Sequence, residues 1–338
     1  MNNSKRNNLN SPQSLNAYIK SICDIMRRSG RAGAMQYVPE LTWMLFLRIL
    51  DEREQKAEEQ SKAVGSEFIP SLKFPYRWRD WAAPSGKKRQ ELQEKTLGAF
   101  MSFVNGELLP YLRKLKDKPG ATSKQKVISE VFFSIEKTGI DTDRNLLDIL
   151  DKVDTLSTEQ VDETHIFTIS QVYEGLLLNM GSKNSDGGQF FTPREVIRVM
   201  LNIINPKIGE TVYDPCCGTG GFLAQTYLSM KEKAKTGNDL EILKTGTFYG
   251  REKENLVYPI TLANLVLHEI DEPHIWHGNT LTGLEVYGGL FQTAPPMYDV
   301  ILTNPPFGGK EGKDAQTKFA YKTGSTEVLF LQHIIGVH

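Results

Sequence analysis

The sequence predicts an α/β protein in two parts: a helical N-terminal domain, then a parallel sheet with crossover helices. Three observations carry this. From Ser14 to about Asp162 the apolar residues recur at helical spacing, and loops rich in turn residues break the pattern. After "GSKNSDGG" (Gly181 to Gly188) short apolar runs alternate with helical ones, which implies βαβ units. The length of 338 residues suits two domains of roughly 100–200 residues each. The expected boundaries are an arm over 1–13, a helical domain over 14–162 and a sheet domain over 163–338.

Composition narrows the class. Hydrophobic residues make up 39% and charged residues 24% of the chain, a soluble globular balance. The formal net charge of -1 advertises no nucleic acid, although a local patch or a partner subunit can supply positive surface. Cys23, Cys216 and Cys217 form neither a disulfide framework nor a metal-ligand spacing, so no metal is expected and a reducing cytoplasm is the simplest compartment. The opening "MNNSKRNNLNSPQSLN" lacks an apolar core segment, and is expected to be a disordered arm, not a signal peptide. "LTWMLFLRIL" contains Arg48 and is about half the length of a membrane span. It is expected to be a buried helix continuing into the charged "DEREQKAEEQ".

In the helical domain, "AYIKSICDIMRRS" places Tyr18, Ile22, Ile25 and Met26 on one helix face. "ELQEKTLGAFMSFVNGELLPYLRKL" and "KQKVISEVFFSIEK" repeat the habit. Ahead of both, "FIPSLKFPYRWRDWAAPSG" is too rich in proline and aromatics to be one regular element. Its Arg77, Trp78, Arg79 and Trp81 have the charge and rings to clamp nucleic acid, but the simpler reading is a loop pinned to the helices by its tryptophans.

Strands are expected at "TVYDP", "GTFYGRE", "PHIWHGNTL" and "YDVILTNPPF", with helices at "ISQVYEGLLLN", "GFLAQTYLSMKEKAK" and "LVYPITLANLVLHEI". The first strand ends in "YDPCCGTGGF" and opens a helix, the place where open α/β sheets bind ligands. Gly218, Gly220 and Gly221 allow φ > 0 and close approach of a ligand. The spacing is neither that of a dinucleotide fold nor that of a P-loop, and Asp214 suits a cationic amino group better than a phosphate. The combination points to S-adenosylmethionine. Cys216 and Cys217 are expected to be packing residues. Glu252 ends the second strand where a carboxylate holds ribose hydroxyls in nucleoside-binding folds. Asn279, after the third, is placed to bond an adenine edge.

The fourth strand runs into "TNPPF". Pro305 and Pro306 remove backbone donors, and Asn304 adds a side-chain acceptor. Such acceptors fit the two N–H donors of adenine's exocyclic amine. Bonds from both donors to Asn304 and the Pro305 carbonyl would favour a localised lone pair on that nitrogen, and would strengthen as positive charge develops. Phe307 can stack on the base, which must be flipped out of a duplex to arrive.

In this order, "QFFTPREV", "DPCCGTGGF", "GREKE", "GNTL" and "NPPFGGK" resemble the modification (methyltransferase) subunit of type I restriction-modification systems. These are N6-adenine DNA methyltransferases with a class I, Rossmann-like S-adenosylmethionine fold. "QFFTP" is the more discriminating piece, and the resemblance covers nearly the whole chain. It implies that Gln189, Phe190, Phe191, Thr192, Pro193 and Arg194 contact the methionine end of the cofactor. It further implies that Asp214, Gly218, Thr219, Gly220 and Gly221 line it, that Glu252 binds ribose, and that Asn304 to Phe307 hold the target adenine. The implied partners are double-stranded DNA, a specificity subunit, a second modification subunit and a restriction subunit, with no membrane.

The sequence departs from the family twice. Aspartate is commoner where Asn279 stands. The family also continues beyond "STEVLFLQHII" with three more strands and a helical tail, whereas this chain stops at "GVH". A truncated or split subunit is therefore expected, with "VILT" at an uncovered sheet edge. Two rival readings follow: a non-catalytic cofactor-binding or assembly subunit, and a methyltransferase of protein glutamine or RNA.

Overall fold

Parallel pairing of Val212 with Phe248 on one side and with Val300 on the other places the first strand in the middle of the sheet. In the computed structural model, residues 12–30, 34–156, 192–285, 289–291 and 294–338 are described. The chain divides into two compact units, Met1–Lys183 and Asn184–His338.

The first unit is helical. Helix α1 spans Pro12–Arg28 and α2 spans Ala34–Ala63. "LTWMLFLRIL" lies within α2 and is almost wholly buried, while the charged continuation grades into solvent. No helix among the described residues is long and apolar enough to cross a membrane. Helix α3 is a single turn, Trp78–Trp81, and the helical stretch expected from Glu91 is in several pieces: α4 Lys87–Gln93, α5 Ala99–Phe103, a π-turn over Val104–Leu108 and α6 Leu109–Arg113. Gly98, at φ 88, opens α5, and Pro110, lacking an N–H, falls in the first turn of α6. Helix α7 covers Ser123–Val131, capped by Thr122, and α8 covers Asp143–Asp154, capped by Thr142.

The core of this unit is aromatic. Trp43 stacks on Trp81 at 6.3 Å between centroids, and Trp81 meets Trp78 edge-on at 5.7 Å. Trp78 and Trp81 are 1% and 0% exposed. The Arg77–Trp81 loop is thus pinned by its tryptophans, and their rings offer no stacking surface for a nucleic acid. Its arginines are tied as well: Arg77 makes two bonds to Asp80, and Arg79 bonds Asp51 at 2.8 Å.

The second unit opens with α9, Arg194–Ile204, whose Ile197 and Leu201 are buried. It then winds β1 Val212–Asp214, α10 Gly221–Lys231, α11 Gly237–Thr245, β2 Phe248–Glu252, α12 Val257–Leu267 and β3 His274–Asn279. A short β4, Leu284–Glu285, turns back antiparallel to β3, and β5 is Val300–Ile301. The last helices are α13 Lys313–Lys318 and α14 Thr326–Val337. Helix α11 and strand β4 are additions to the pattern the sequence predicts. The sheet order is β4-β3-β2-β1-β5. Within the described sheet β5 stands at the end of this order and pairs with β1.

This order fixes the site. After β3 the chain returns to the other side of β1, so the crevice opens at the carboxyl ends of β1 and β5, a topological switch point. Asp214, Glu252, Asn279 and Thr303 all follow or end strands that run parallel, and so gather at one edge of the sheet. The 162/163 boundary, the Gly181–Gly188 linker, "ISQVYEGLLLN" and most of the 1–13 arm lie outside the described residues.

Candidate active site

The glycine-rich turn is held by its backbone, chiefly from α12. Thr261 Oγ1 donates to the Gly218 carbonyl, and Asn264 Nδ2 donates to the Thr219 carbonyl at 2.8 Å. Both side chains are buried in an otherwise apolar helix. Cys217 N donates to Arg251 O at 2.9 Å, closing the turn onto β2. Gly218 and Gly220 take φ 52 and 80, which a side chain rarely tolerates. Gly250 answers a different demand: a Cβ there would lie 2.2 Å from Cys217 Sγ, so β2 could not approach the turn.

Two buried carboxylates face this turn. Asp214 is 1% exposed, and its Oδ1 accepts from Cys216 N at 3.1 Å and Thr303 Oγ1 at 2.7 Å. Its Oδ2 is buried with no partner among the described residues. Burial pushes this carboxyl up to about 7. An unpaired buried oxygen is costly, and a cation supplied by a ligand would satisfy it. Glu252 is 7% exposed, and its oxygens accept from Gly218 N at 2.9 Å and Glu254 N at 2.8 Å. Burial pushes it, too, up to about 7. Its carboxylate braces the glycine-rich turn in addition to facing the crevice.

The cysteines pack, as expected. Cys217 is buried and its Sγ donates to Asp214 O at 3.2 Å. Cys216 Sγ lies 3.0 Å from Thr303 Oγ1. Burial raises both thiols well above the ordinary range, so neither is an activated nucleophile.

The Asn-Pro-Pro turn meets the site from β5. Asn304 Nδ2 donates to Thr192 Oγ1 at 3.1 Å, which leaves the side-chain oxygen as the free end of the amide. Thr303, the preceding residue, is bonded to Asp214. The turn, the "TP" threonine and the carboxylate of β1 are thereby brought together. Phe307 is 69% exposed, a flat ring presented to solvent. Pro305 and Pro306 are half-buried.

Other expected residues fall as follows. Arg194 and Glu195 begin α9 behind its N-cap Pro193. Gly221 begins α10. Asn279 ends β3, and its Oδ1 accepts from Leu281 N at 2.9 Å, which ties the side chain into the turn. Thr280, beside it, donates to Pro215 O and links β3 to the β1 turn. Gln189, Phe190 and Phe191 lie outside the described residues. Thr303, Thr261 and Asn264 were not singled out by sequence. The two α12 residues left one signal, polar positions three apart in an apolar helix.

Comparison with known proteins converges on the same reading. Residues 164–338 match the family described as N-6 DNA methylase, and residues 15–153 match the HsdM N-terminal domain family. The chain is 34% identical to the type I restriction enzyme EcoEI methylase subunit of Escherichia coli, over 96% of this chain and 63% of that one. It is 28% identical to the EcoKI methylase subunit of Escherichia coli, over 94% of this chain and 55% of that one. A crystal structure of a modification subunit of a putative type I restriction enzyme from Vibrio vulnificus superposes with a TM-score of 0.80 at 34% identity, covering 97% of this chain and 68% of that one. The chain thus spans little more than half the length of these curated relatives. With both of its regions matched and its fold shared, the chain belongs to the N-6 DNA methylase family, among the methylase subunits of type I restriction enzymes.

Proposed function

We propose that this chain transfers a methyl group from S-adenosylmethionine to N6 of an adenine flipped out of double-stranded DNA. It would act as the modification subunit of a type I assembly, beside a specificity subunit that reads the sequence, a second modification subunit and a restriction subunit. The observation that carries the reading is the pair of bonds that seat the Asn-Pro-Pro turn at the cofactor crevice: Asn304 to Thr192, and Thr303 to Asp214.

The residues present fit the cofactor. Asp214, with one buried oxygen unpartnered among the described residues, would take the ammonium of the methionine end, which in turn favours its charged form. The Gly218–Gly221 turn would lie against the methionine moiety, Glu252 would face the ribose, and the Asn279 amide the adenine edge. When bound, the cofactor supplies an electrophilic methyl on a sulfonium.

The chain's own residues prepare the acceptor. Because Thr192 engages the Asn304 nitrogen, the Asn304 oxygen is turned to accept. With the Pro305 carbonyl it would take both N–H bonds of the exocyclic amine. Electron density is then held on that nitrogen, and both bonds strengthen as it becomes positive, which stabilises the transition state selectively. Phe307 would stack on the extruded base. The extra proton leaves to water after transfer.

Calorimetric titration with S-adenosylmethionine, followed by a tritiated-methyl transfer assay on duplex DNA with a specificity subunit present, tests the reading. N6-methyladenine should form, and Asn304→Ala should cut its formation by on the order of 10²–10³. Folded protein that binds no cofactor, or equal transfer by both chains, sinks the proposal.

A further inference from the structure

The Asn-Pro-Pro turn is strung between two carboxylates, of which the reaction accounts for one. At its start Thr303 is bonded to Asp214. At its end the Gly308 amide donates to Glu327 Oε1, on the first turn of α14. The other oxygen, Oε2, accepts from Ser325 Oγ at 2.7 Å, so both oxygens are in use and the side chain is fixed. Gly308 has φ 73, and it follows Phe307 directly. Its amide is therefore the point at which the chain's direction after the ring is set.

Neighbouring contacts close the same clasp. Lys310 forms an antiparallel bridge with Ser325, Glu311 N donates to Gly324 O at 3.0 Å, and Thr326 N donates to Gly309 O at 3.3 Å. A Cβ on Gly309 would meet Thr326 Oγ1 at 2.5 Å, so these strands of chain approach as closely as glycine permits. Helix α14 is in turn seated on the unit's interior: Leu329 and Phe330 pack with Leu281 and Ala315, and Cys216 of the glycine-rich turn leans on that cluster. The clasp is thus anchored to the body that holds the cofactor crevice.

We propose that Glu327 is a positioning residue for adenine transfer: its carboxylate holds Gly308 and thereby fixes Phe307 and the turn carbonyls against the flipped base. This rests on the proposed function for its chemical consequence, but the clasp itself does not. Both bonds also hold the Glu327 carboxyl below the usual carboxylate range, so the clasp is charged and closed at neutral pH.

The test uses the full chain with Glu327→Ala, Glu327→Gln and Ser325→Ala. Amide hydrogen exchange of Phe307 to Glu311 should quicken about tenfold in Glu327→Ala, as local opening becomes cheaper, with the Cys216–Phe222 peptide unchanged. In methyl transfer with the specificity subunit and DNA, kcat should fall roughly 10–100-fold with KM for the cofactor unchanged. Glu327→Gln keeps an acceptor for Gly308 and should recover most of both effects, and Ser325→Ala should give a smaller loss. Unchanged exchange in Glu327→Ala overturns the clasp. Faster exchange with undiminished kcat overturns its positioning role, as does a glutamine variant no better than alanine. An unmodified chain that transfers no methyl counts against the proposed function, while the exchange comparison, which needs no turnover, still upholds or overturns the clasp.

Discussion

Thr303 Oγ1 donates a 2.7 Å hydrogen bond to Oδ1 of Asp214, joining the residue before the Asn-Pro-Pro turn to the carboxylate that ends β1. Strand β5 pairs with β1 through Val212 and Tyr213 only, so this side-chain bond continues the ladder where the backbone bonds stop. Asp214 has its second oxygen free for a ligand among the described residues. A change at one oxygen is therefore felt at the other through a single shared carboxylate.

That bond should couple cofactor binding to catalysis. Removing a hydrogen bond to a charged group costs about 1.5–3 kcal/mol, so Thr303→Val should weaken S-adenosylmethionine binding by roughly tenfold or more. Thr303→Ser keeps the hydroxyl and should bind nearly as the unmodified chain does. A double-mutant cycle with Asp214→Asn, read by calorimetry, checks the coupling. Strict additivity of the two losses would show that the carboxylate does not transmit between turn and cofactor.

The cofactor-free protein should lose stability as pH rises. Asp214 and Glu252 have carboxyls pushed up to about 7 by burial. In the unfolded chain they titrate near about 4. Between those values the folded state binds more protons than the unfolded state, so unfolding free energy falls with rising pH and levels above about 7. At about 1.4 kcal/mol per unit and about 3 units of displacement for each group, the sum is on the order of 8 kcal/mol. Thermal unfolding at about pH 5 and about pH 8 should show the drop, Asp214→Asn should shrink it, and saturating S-adenosylmethionine should shrink it further by favouring the charged Asp214. A melting temperature independent of pH would contradict the burial argument.

Asn304→Ala should separate chemistry from binding. The Asn304 oxygen is the acceptor proposed for the target amine, whereas cofactor contacts fall to Asp214 and the glycine-rich turn. Losing one such preorganised group typically costs on the order of 10²–10³ in kcat, so turnover should fall by that order with cofactor affinity within a few-fold. Thr192→Ala should give a milder loss of turnover, since it frees the Asn304 amide to rotate without removing the oxygen.

What was legible in the sequence is what local pattern encodes. The strands ending at Asp214, Glu252 and Asn279 announced themselves as apolar runs closed by turn residues, and with them came the site's position along the sheet. The stretch from Glu91 to Leu115 reads as helical because Phe100, Val104, Leu108 and Leu112 recur every four residues straight through the π-turn at Val104–Leu108; periodicity does not report which carbonyl an amide finds. Thr303, Glu327, Thr261 and Asn264 act on partners 19 to 89 residues away in the chain. Such pairings exist only once β1, β5, α12 and α14 are assembled. Asn279 shows the converse: its oxygen accepts a turn bond from Leu281 that any Asn or Asp after a strand can form.

The Arg77–Trp81 loop allows a last discrimination, because clamping and pinning predict opposite phenotypes. If the loop gripped DNA, Trp81→Ala and Arg79→Ala would weaken DNA binding and leave folding intact. In the structure Trp81 is 0% exposed between Trp43, Trp78 and Phe100, and truncating a buried tryptophan costs about 3–5 kcal/mol. Arg79 bonds Asp51, a 5% exposed carboxylate, and Glu58. Its removal leaves Asp51 buried without its guanidinium, and burial already raises that carboxyl. Arg79→Ala should therefore destabilise the helical unit, and more at neutral pH than in mild acid, where protonation of Asp51 relieves the unpaired charge. Denaturant unfolding of both variants at about pH 5 and about pH 7.5, followed by salt titration of DNA binding for whatever remains folded, decides between the two roles.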